Sequence, residues 1–425
     1  MSTGVAAGRR RTLLRLRALL TVAALVALPS LAQAQGGLTA RVRYLGGYTH
    51  ELPEVVGTST HDYWAGVVPE LSYLFAERRW SLRTTYAFTA MVHTRNPAEI
   101  ANRLTLISSY ELSKRTTLLL SADANQTSLS NYLITRPVLD TSAVVVPTSN
   151  SRLLTATASE GLLWEASPSV LFGQGVNASY VTSLDPETRI DNVFVTGLVS
   201  LERTWKRDGL GVELRGAYTN VDTPPTAAQS FVTITAAPRW RHDLTPTLTS
   251  LVSAGASGVV SPDAQTEPVV TPFGRGALLY TLDASSLELS YAGGAAPNVL
   301  TGQMLVSHQV TLRGGTSLSD RYRVRAGGSV GYLHGSVLDL RNGAPATPDV
   351  DAFLSDVDVT WLATEWMQLF ARGLFLAQDN GSGAPTFIRE AVIFGLQLSS
   401  RSADGIAIPV RFPQRVDRGD AATAQ

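Results

Sequence analysis

From about residue 36 onward, apolar side chains recur at every second position, and this period of two restricts the fold more than any other feature. In the segment WSLRTTYAFTAMV, Leu82 and Tyr86 share the parity of Trp80. Arg83 and Thr85 take the other parity. Successive side chains of a strand point to opposite faces, so the pattern predicts strands with one apolar and one polar face. Almost no window shows the 3.6-residue period of an amphipathic helix, which indicates an all-β chain.

The first 34 residues are typical of a secretory signal peptide. Five arginines precede the run ALLTVAALVAL, which is too short to span a bilayer, and Ala32 and Ala34 then form an A-x-A cleavage motif. Cleavage is expected before Gln35. The leader carries five of the 35 basic residues, so the mature chain, with 35 acidic residues, has a net charge of about −5. This charge argues against a nucleic-acid partner.

Composition favours a membrane barrel over a soluble β-protein. Charged residues make up 16% of the chain, whereas about 25% is usual for a soluble domain. No later stretch is apolar and long enough for a membrane helix, so a membrane protein of this sequence must be a closed barrel. The chain has no cysteine, which excludes disulfides and thiolate metal sites.

Turn chemistry divides the chain into hairpins with two kinds of end. Abrupt polar endings such as LSKRT and WKRDGLG recur at intervals of about forty residues, and longer loops rich in Pro, Thr, Asn and Asp separate them. The longest predicted loops are Leu133–Asn150 and Gly335–Pro348. Short periplasmic turns alternating with longer extracellular loops are the topology of an outer-membrane barrel, and eight turns with nine loops predict about eighteen strands.

We therefore expect one all-β domain over residues 35–401, a transmembrane antiparallel up-and-down β-barrel, followed by a polar periplasmic tail at 402–425. The strands are predicted to begin near Leu38, Tyr63, Trp80, Ile100, Thr116, Arg152, Val170, Val193, Leu210, Phe231, Thr247, Val269, Leu287, Met304, Tyr322, Phe353, Met367 and Phe387.

Aromatic residues are sorted to the two ends of these strands. The tryptophans near short turns predict a periplasmic girdle made of Trp80, Trp164, Trp205, Trp240, Trp361 and Trp366. Tyrosines near the longer loops predict an extracellular girdle that contains Tyr48, Tyr180, Tyr218 and Tyr332. Two such bands mark the water interfaces of a membrane barrel, whereas a soluble sandwich has no reason to sort its tryptophans to one end.

The polar parity is then the wall of a water-filled lumen. It is predicted to contain Arg41, Arg43, Glu70, Arg83, Arg103, Asp123, Glu202, Glu213, Arg215, Arg239, Glu288, Arg313, Arg323, Arg325, Asp356, Asp358 and Arg389. Such charges either select a polar solute or form cross-strand ion pairs that keep the wall solvated. An excess of arginine favours anionic or hydroxyl-rich solutes.

No constellation of catalytic, metal-binding or cofactor-binding residues is evident. The six histidines occur singly, without metal-ligand spacing, and neither His93 near Asn96 nor His334 near Asp339 brings a nucleophile, a base and an orienting group together. We therefore expect neither an enzyme nor a cofactor.

The leader, hairpin spacing and girdles resemble bacterial outer-membrane β-barrel proteins over residues 36 to about 401. In strand number and short loops the chain is similar to the barrel porins of exopolysaccharide export. That resemblance implies a water-filled passage in the outer membrane of a Gram-negative bacterium, most simply for an exported polysaccharide. It implies as partners the outer-membrane lipid, the barrel-assembly machinery, periplasmic polysaccharide-export proteins and the polymer.

Two alternatives remain open: a general diffusion porin for small polar or anionic solutes, and a structural or enzymatic barrel without a channel. One departure from the family concerns its assembly signal, a terminal aromatic on the last strand. Here AVIFGLQLSS is the predicted last strand, and about 25 residues follow it.

Overall fold

The structure is a computed structural model, and it describes residues 37–52, 60–128, 152–185, 191–222, 229–262, 268–297, 304–318, 323–339, 344–379 and 387–400. The predicted signal peptide, its cleavage site, the loop Leu133–Asn150 and the C-terminal tail lie outside these residues. In the part of the chain that is described, no helix is long and apolar enough to cross a membrane.

The described residues form eighteen strands. In chain order these are β1 (Gly37–Leu52), β2 (Thr60–Ala76), β3 (Trp80–His93), β4 (Glu99–Ser113), β5 (Thr116–Ser128), β6 (Arg152–Ser167), β7 (Val170–Ser183), β8 (Asp191–Thr204), β9 (Asp208–Asp222), β10 (Gln229–Thr245), β11 (Leu248–Val260), β12 (Val269–Leu282), β13 (Ser285–Pro297), β14 (Met304–Ser317), β15 (Val324–Asp339), β16 (Ala344–Thr364), β17 (Met367–Asp379) and β18 (Phe387–Ser399).

The sheet closes on itself. Each strand pairs antiparallel with the next in sequence, and β1 pairs with β18, from Arg41 opposite Ser399 to Leu52 opposite Ile388. Closure leaves no sheet edge whose backbone groups lack partners. The predicted all-β, up-and-down barrel of about eighteen strands is confirmed.

One predicted loop is wrong. Gly335–Pro348 was expected to connect two strands, with the second beginning near Phe353, but β15 continues to Asp339 and β16 already begins at Ala344. A register shift beside Ser336 places additional residues on β16, so the hairpin continues past an irregularity that interrupts its alternation. Every other described strand begins within three residues of its expected position.

Tight turns join the strands at one end of the barrel. The connection between β12 and β13 contains only two residues, and Asp283 in that turn has a φ of 46°. Aspartate tolerates this left-handed conformation better than most residues because its short polar side chain forms local hydrogen bonds.

The two faces of the wall differ in crowding. Side chains on a concave face converge and are shielded from solvent, whereas those on a convex face spread apart and are more exposed. The parity that contains Ile234 (63% exposed) is the convex outer face, and the parity that contains Glu213 (3% exposed) is the concave inner face. Side chains of the polar parity therefore point into the barrel.

Two prolines interrupt the hydrogen-bond ladder next to inward charges. Pro69 precedes Glu70, and the pairing of β2 with β3 resumes at Glu70 opposite Ala87 after a gap. Pro238 precedes Arg239, and the pairing of β10 with β11 shows the same kind of gap. Proline has no N–H to donate to the ladder, so each interruption follows directly from the sequence.

Candidate functional site: the charged lumen

The structure places all but one of the predicted lumen residues on the inward face of a strand. Arg323 is the exception: it precedes the first residue of β15 at the end with the short turns. The inward residues are Arg41, Arg43, Glu70, Arg83, Arg103, Asp123, Glu202, Glu213, Arg215, Arg239, Glu288, Arg313, Arg325, Asp356, Asp358 and Arg389.

Four arginines on β1, β3 and β4, which we call the arginine cluster (Arg41, Arg43, Arg83 and Arg103), lie close together on the inner wall. Register places Arg41 directly opposite Glu70, and its Nη1 lies 3.3 Å from the Glu70 Oε1. The same carboxylate lies 3.7 Å from the Arg43 guanidinium.

A second carboxylate borders the arginine cluster at Asp123 on β5. The Arg103 Nε donates a hydrogen bond of 2.7 Å to Asp123, and the Thr105 hydroxyl donates another to the same oxygen. Four arginines against the two carboxylates Glu70 and Asp123 leave this sector with a formal charge of about +2, and the guanidinium of Arg103 remains half exposed to the lumen. A concentrated positive field on one side of a pore attracts anions.

A second group of charges, on β8, β9 and β10, is nearly balanced and more deeply buried. Glu202 lies 3.8 Å from Arg239 and 3.4 Å from Arg241, while Glu213 accepts a hydrogen bond from Arg215. A glycine makes room for this group, since a Cβ at Gly209 would lie 2.4 Å from the Glu202 Oε1. These ion pairs stabilise the wall and offer less free charge to a solute.

Several of the other inward charges lie beside charges of the opposite sign. Asp356 accepts hydrogen bonds from Arg372, and Asp358 lies opposite Arg372 in register. Glu288 is directly opposite Arg313. The positive potential of the lumen is therefore concentrated at the arginine cluster on one side of the wall.

Asp62 organises the end of the lumen that lies opposite the short turns. Its carboxylate accepts hydrogen bonds from the Thr94 N–H (3.1 Å) and hydroxyl (3.0 Å), the Arg95 N–H (3.1 Å) and the Asn96 amide (2.8 Å), and it lies 2.7 Å from the His93 Nδ1. Burial alone would raise the pKa of Asp62, but these hydrogen bonds outweigh it and hold the pKa below the ordinary 3.8. A carboxylate at position 62 thus fixes the turn after β3.

The predicted girdle residues lie at the two ends of the barrel. Four tryptophans, Trp80, Trp164, Trp240 and Trp361, lie on the outer face at the end with the short turns, and Trp205 and Trp366 are exposed in two of those turns. Tyr48, Tyr180, Tyr218 and Tyr332 lie on the outer face toward the opposite end, where Tyr63 and Tyr291 accompany them. We call these two bands the tryptophan ring and the tyrosine ring. The belt between them contains many exposed Val, Leu, Ile and Phe side chains.

The seventh tryptophan, Trp64, points into the barrel. It is 5% exposed, and its indole N–H donates a 3.1 Å hydrogen bond to Thr49. It packs with Met91 and Ile393 in a buried apolar cluster of the inner wall. Trp64 has the same parity as Asp62 and Glu70, so the alternation of the sequence predicts its inward orientation.

Three inward arginines, Arg241, Arg275 and Arg372, were not among the expected lumen residues. Arg241 lies two positions after Arg239, and Arg372 belongs to a strand with large apolar residues on both faces. The parity of the sequence predicts that Arg241 faces inward. The inward orientation of Arg372 becomes evident only from its pairing with Asp356.

Histidines lie mainly outside the lumen. His50, His61, His308 and His334 are on the outer face just beyond the tyrosine ring, and His242 contacts Asp208 near the tryptophan ring. Across the described ranges, no three His, Asp or Glu side chains come together in a way that could hold a metal ion.

No family model matches the chain, and no curated protein matches it. Solved structures similar to it include the outer membrane protein opdK from Pseudomonas aeruginosa, at 10% identity and a TM-score of 0.43, covering 85% of this chain and 99% of that one. They also include P. aeruginosa OccK2 (OpdF) in complex with glucuronate, at 11% identity and a TM-score of 0.45, covering 85% of this chain and 98% of that one. P. aeruginosa OccK7 (OpdD) has 11% identity and a TM-score of 0.44, covering 86% of this chain and 99% of that one.

Proposed function

We propose that this protein is an outer-membrane channel that gives small polar solutes, and anions in preference to cations, a water-filled passage. The observation that carries the proposal is the opposite chemistry of the two faces of one closed wall. The outer face has an apolar belt between two aromatic rings, while the inner face has ion pairs and an excess of arginine in one sector.

The apolar belt supports the membrane part of the proposal. Large hydrophobic side chains such as Val270, Ile234 and Phe394 are more than 60% exposed on the outer face. A soluble protein rarely exposes a continuous apolar surface larger than a few hundred Å². Lipid solvates this surface, and a closed barrel leaves no open sheet edge in the membrane.

The strand number supports the channel part. Eight strands leave room only for side chains, whereas sixteen to eighteen leave an aqueous lumen. The 18 strands of this barrel are in the second range. Arginine recognises carboxylates and phosphates bidentately, so the arginine cluster favours anionic solutes.

Planar-bilayer recording and liposome swelling test this function. The purified protein should give steady ion conductance and admit small carboxylates faster than neutral sugars of the same size. A protein that inserts into bilayers without conductance, or that dissolves without detergent, would contradict the proposal.

Polysaccharide export, to which the sequence resemblance points, stays a prediction, together with the periplasmic partners that it implies. A deletion strain tests it: loss of surface polysaccharide would favour export, and intact polysaccharide with reduced uptake of small anions would favour the diffusion channel. If the protein does not conduct ions, the alternative of a barrel without a channel would be supported.

A further inference from the structure

A carboxylate lies on the outer face of the barrel midway between the two aromatic rings. Glu160 shares its parity with Trp164 of the tryptophan ring, four residues below it on β6. Four residues above it is Ala156, which lies opposite Tyr180 of the tyrosine ring. Among the described residues, Glu160 is the one charged side chain on the outer face that lies midway between the rings.

Glu160 is exposed on an apolar surface. Its directly opposed neighbours on the flanking strands are Leu120 and Val176, both exposed on the outer face. Within the described part of the chain its carboxylate has no hydrogen-bond or ion-pair partner. An ionisable side chain at the centre of a membrane is expensive, and such residues mark functional contacts. A carboxylate in this position therefore indicates a polar partner outside the barrel.

A second polar side chain lies beside it. Gln174 on β7 faces outward opposite Leu162, the outward neighbour of Glu160 along β6, and it also has no hydrogen-bond partner among the described residues. The carboxylate only accepts hydrogen bonds, while the amide of Gln174 donates two. One wall thus presents an acceptor and a donor side by side.

The wall around this pair is flat enough for close approach. Ala122, Ala158 and Ala178 form one row across β5, β6 and β7, since they are directly opposed in register. Gly197 on β8 extends the row that contains Glu160 and Val176. Small residues at membrane interfaces let two backbones approach closely, and interfacial polar side chains then hydrogen-bond between the partners.

We propose that the outer wall of β5–β8 binds a second copy of this chain across a two-fold axis, with the Gln174 amide of each copy donating a hydrogen bond to the Glu160 carboxyl of the other. A two-fold interface uses the same patch twice, so it must be self-complementary. Glu160 supplies an acceptor and Gln174 a donor on one patch. The same patch on a second copy can therefore satisfy both side chains, whereas an unrelated partner has no need of a self-complementary pair. This inference rests on the membrane location in the proposed function, but not on the identity of the solute.

The chain contains no cysteine, so single-cysteine variants report contacts without background. Ala158→Cys should give a disulfide-linked dimer when oxidised in the native membrane. Val330→Cys is the matched control, because Val330 is exposed on the outer face of β15, nine strands from β6 in either direction around the barrel. Equal cross-linking of the two variants, or cross-linking of Ala158→Cys to a different protein, would overturn the proposal.

Two variants of Glu160 test the hydrogen bond. In lipid nanodiscs the wild type should be dimeric by mass. Glu160→Leu should raise the dimer dissociation constant about 10-fold or more, since it removes an interfacial polar contact, while Glu160→Gln should change it less than about threefold because an amide retains an acceptor. A monomeric wild type, or equal effects of Leu and Gln, would contradict the interface.

Conductance separates the two proposals. Glu160→Leu lies on the outer face and should leave single-channel conductance unchanged. A conducting monomer would overturn the interface alone, whereas a protein that neither conducts nor inserts into lipid would overturn both.

Discussion

Replacing Arg43 and Arg103 with glutamine should abolish the anion preference of the channel. These two side chains belong to the arginine cluster, where Glu70 and Asp123 are the neighbouring carboxylates. The double substitution takes the formal charge of the sector from about +2 to about zero. The wall itself should survive, because glutamine retains hydrogen-bonding groups on a solvated surface.

The size of the effect follows from Coulomb's law. A monovalent ion passing about 8 Å from a guanidinium in water interacts with it by about 0.5 kcal/mol, which a Debye length of about 10 Å at 0.1 M salt reduces to about 0.23 kcal/mol. Two net positive charges lower the energy of an anion and raise the energy of a cation by the same amount. The energies of the two ions therefore differ by about 0.9 kcal/mol, so anions should be about fivefold more permeant than cations. At 1 M salt the Debye length is about 3 Å and the ratio should fall to about 1.3.

The reversal potential across a planar bilayer with a KCl gradient measures this ratio. Arg203→Gln is the control, because Arg203 lies on the outer face beside Trp205 and its removal takes one positive charge from the protein without altering the lumen. The double variant should show a ratio near one, while the control should keep the wild-type ratio. A ratio that is unchanged in the double variant, or that falls equally in the control, would refute the assignment of selectivity to the arginine cluster.

Three further substitutions test the wall. Val357 lies on the exposed outer face of β16, and Val357→Arg should lower the free energy of unfolding in lipid vesicles by ~2–4 kcal/mol. The control Val357→Leu should lower it by less than ~0.5 kcal/mol. Equal effects of the two substitutions would place Val357 away from lipid. Gly211→Val should destabilise by ~1–3 kcal/mol because its Cβ would lie 2.4 Å from the Leu201 carbonyl oxygen, whereas Gly373→Val, with nothing within 4 Å, should be nearly neutral in the same assay. The pKa of Asp62 is lower in the folded state, so its hydrogen bonds are fully present above pH 3.8 and are lost as pH falls through the lowered pKa. The protection factors of the Thr94 and Arg95 amides, that is, their exchange rates relative to the intrinsic rates at the same pH, should fall below that pH, and already at pH 7 in Asp62→Asn; protection that does not depend on pH or on this substitution would contradict the role of Asp62.

Local chemistry determines most of this fold, which is why the sequence predicts it well. A strand's two faces follow from residue parity, and a tight turn such as that at Asp283 follows from its own residues. Every described strand except β16 begins close to its expected position for this reason. The sequence does not predict the extension of β16. Two prolines in the segment are typical of a loop, and the register shift beside Ser336 breaks the alternation that would indicate a strand.

The lumen was predictable in part. Parity indicates which charges face inward, but it does not indicate which of them meet. The pairing of Arg41 with Glu70 and of Arg372 with Asp356 depends on register between strands, which a single sequence does not specify. The excess charge of the arginine cluster is therefore visible only once the strands are paired.

Labelling of consecutive cysteines along β5 tests the central claim most directly. Leu119, Ser121 and Asp123 face the lumen, while Leu120, Ala122 and Ala124 face outward. In reconstituted vesicles, single cysteines at the first three positions should react with a charged, membrane-impermeant thiol reagent, and those at the other three should be protected and instead be quenched by a lipid-phase probe. Reaction at every position, or a reversed alternation, would contradict a barrel with an apolar outside and a charged, water-filled inside.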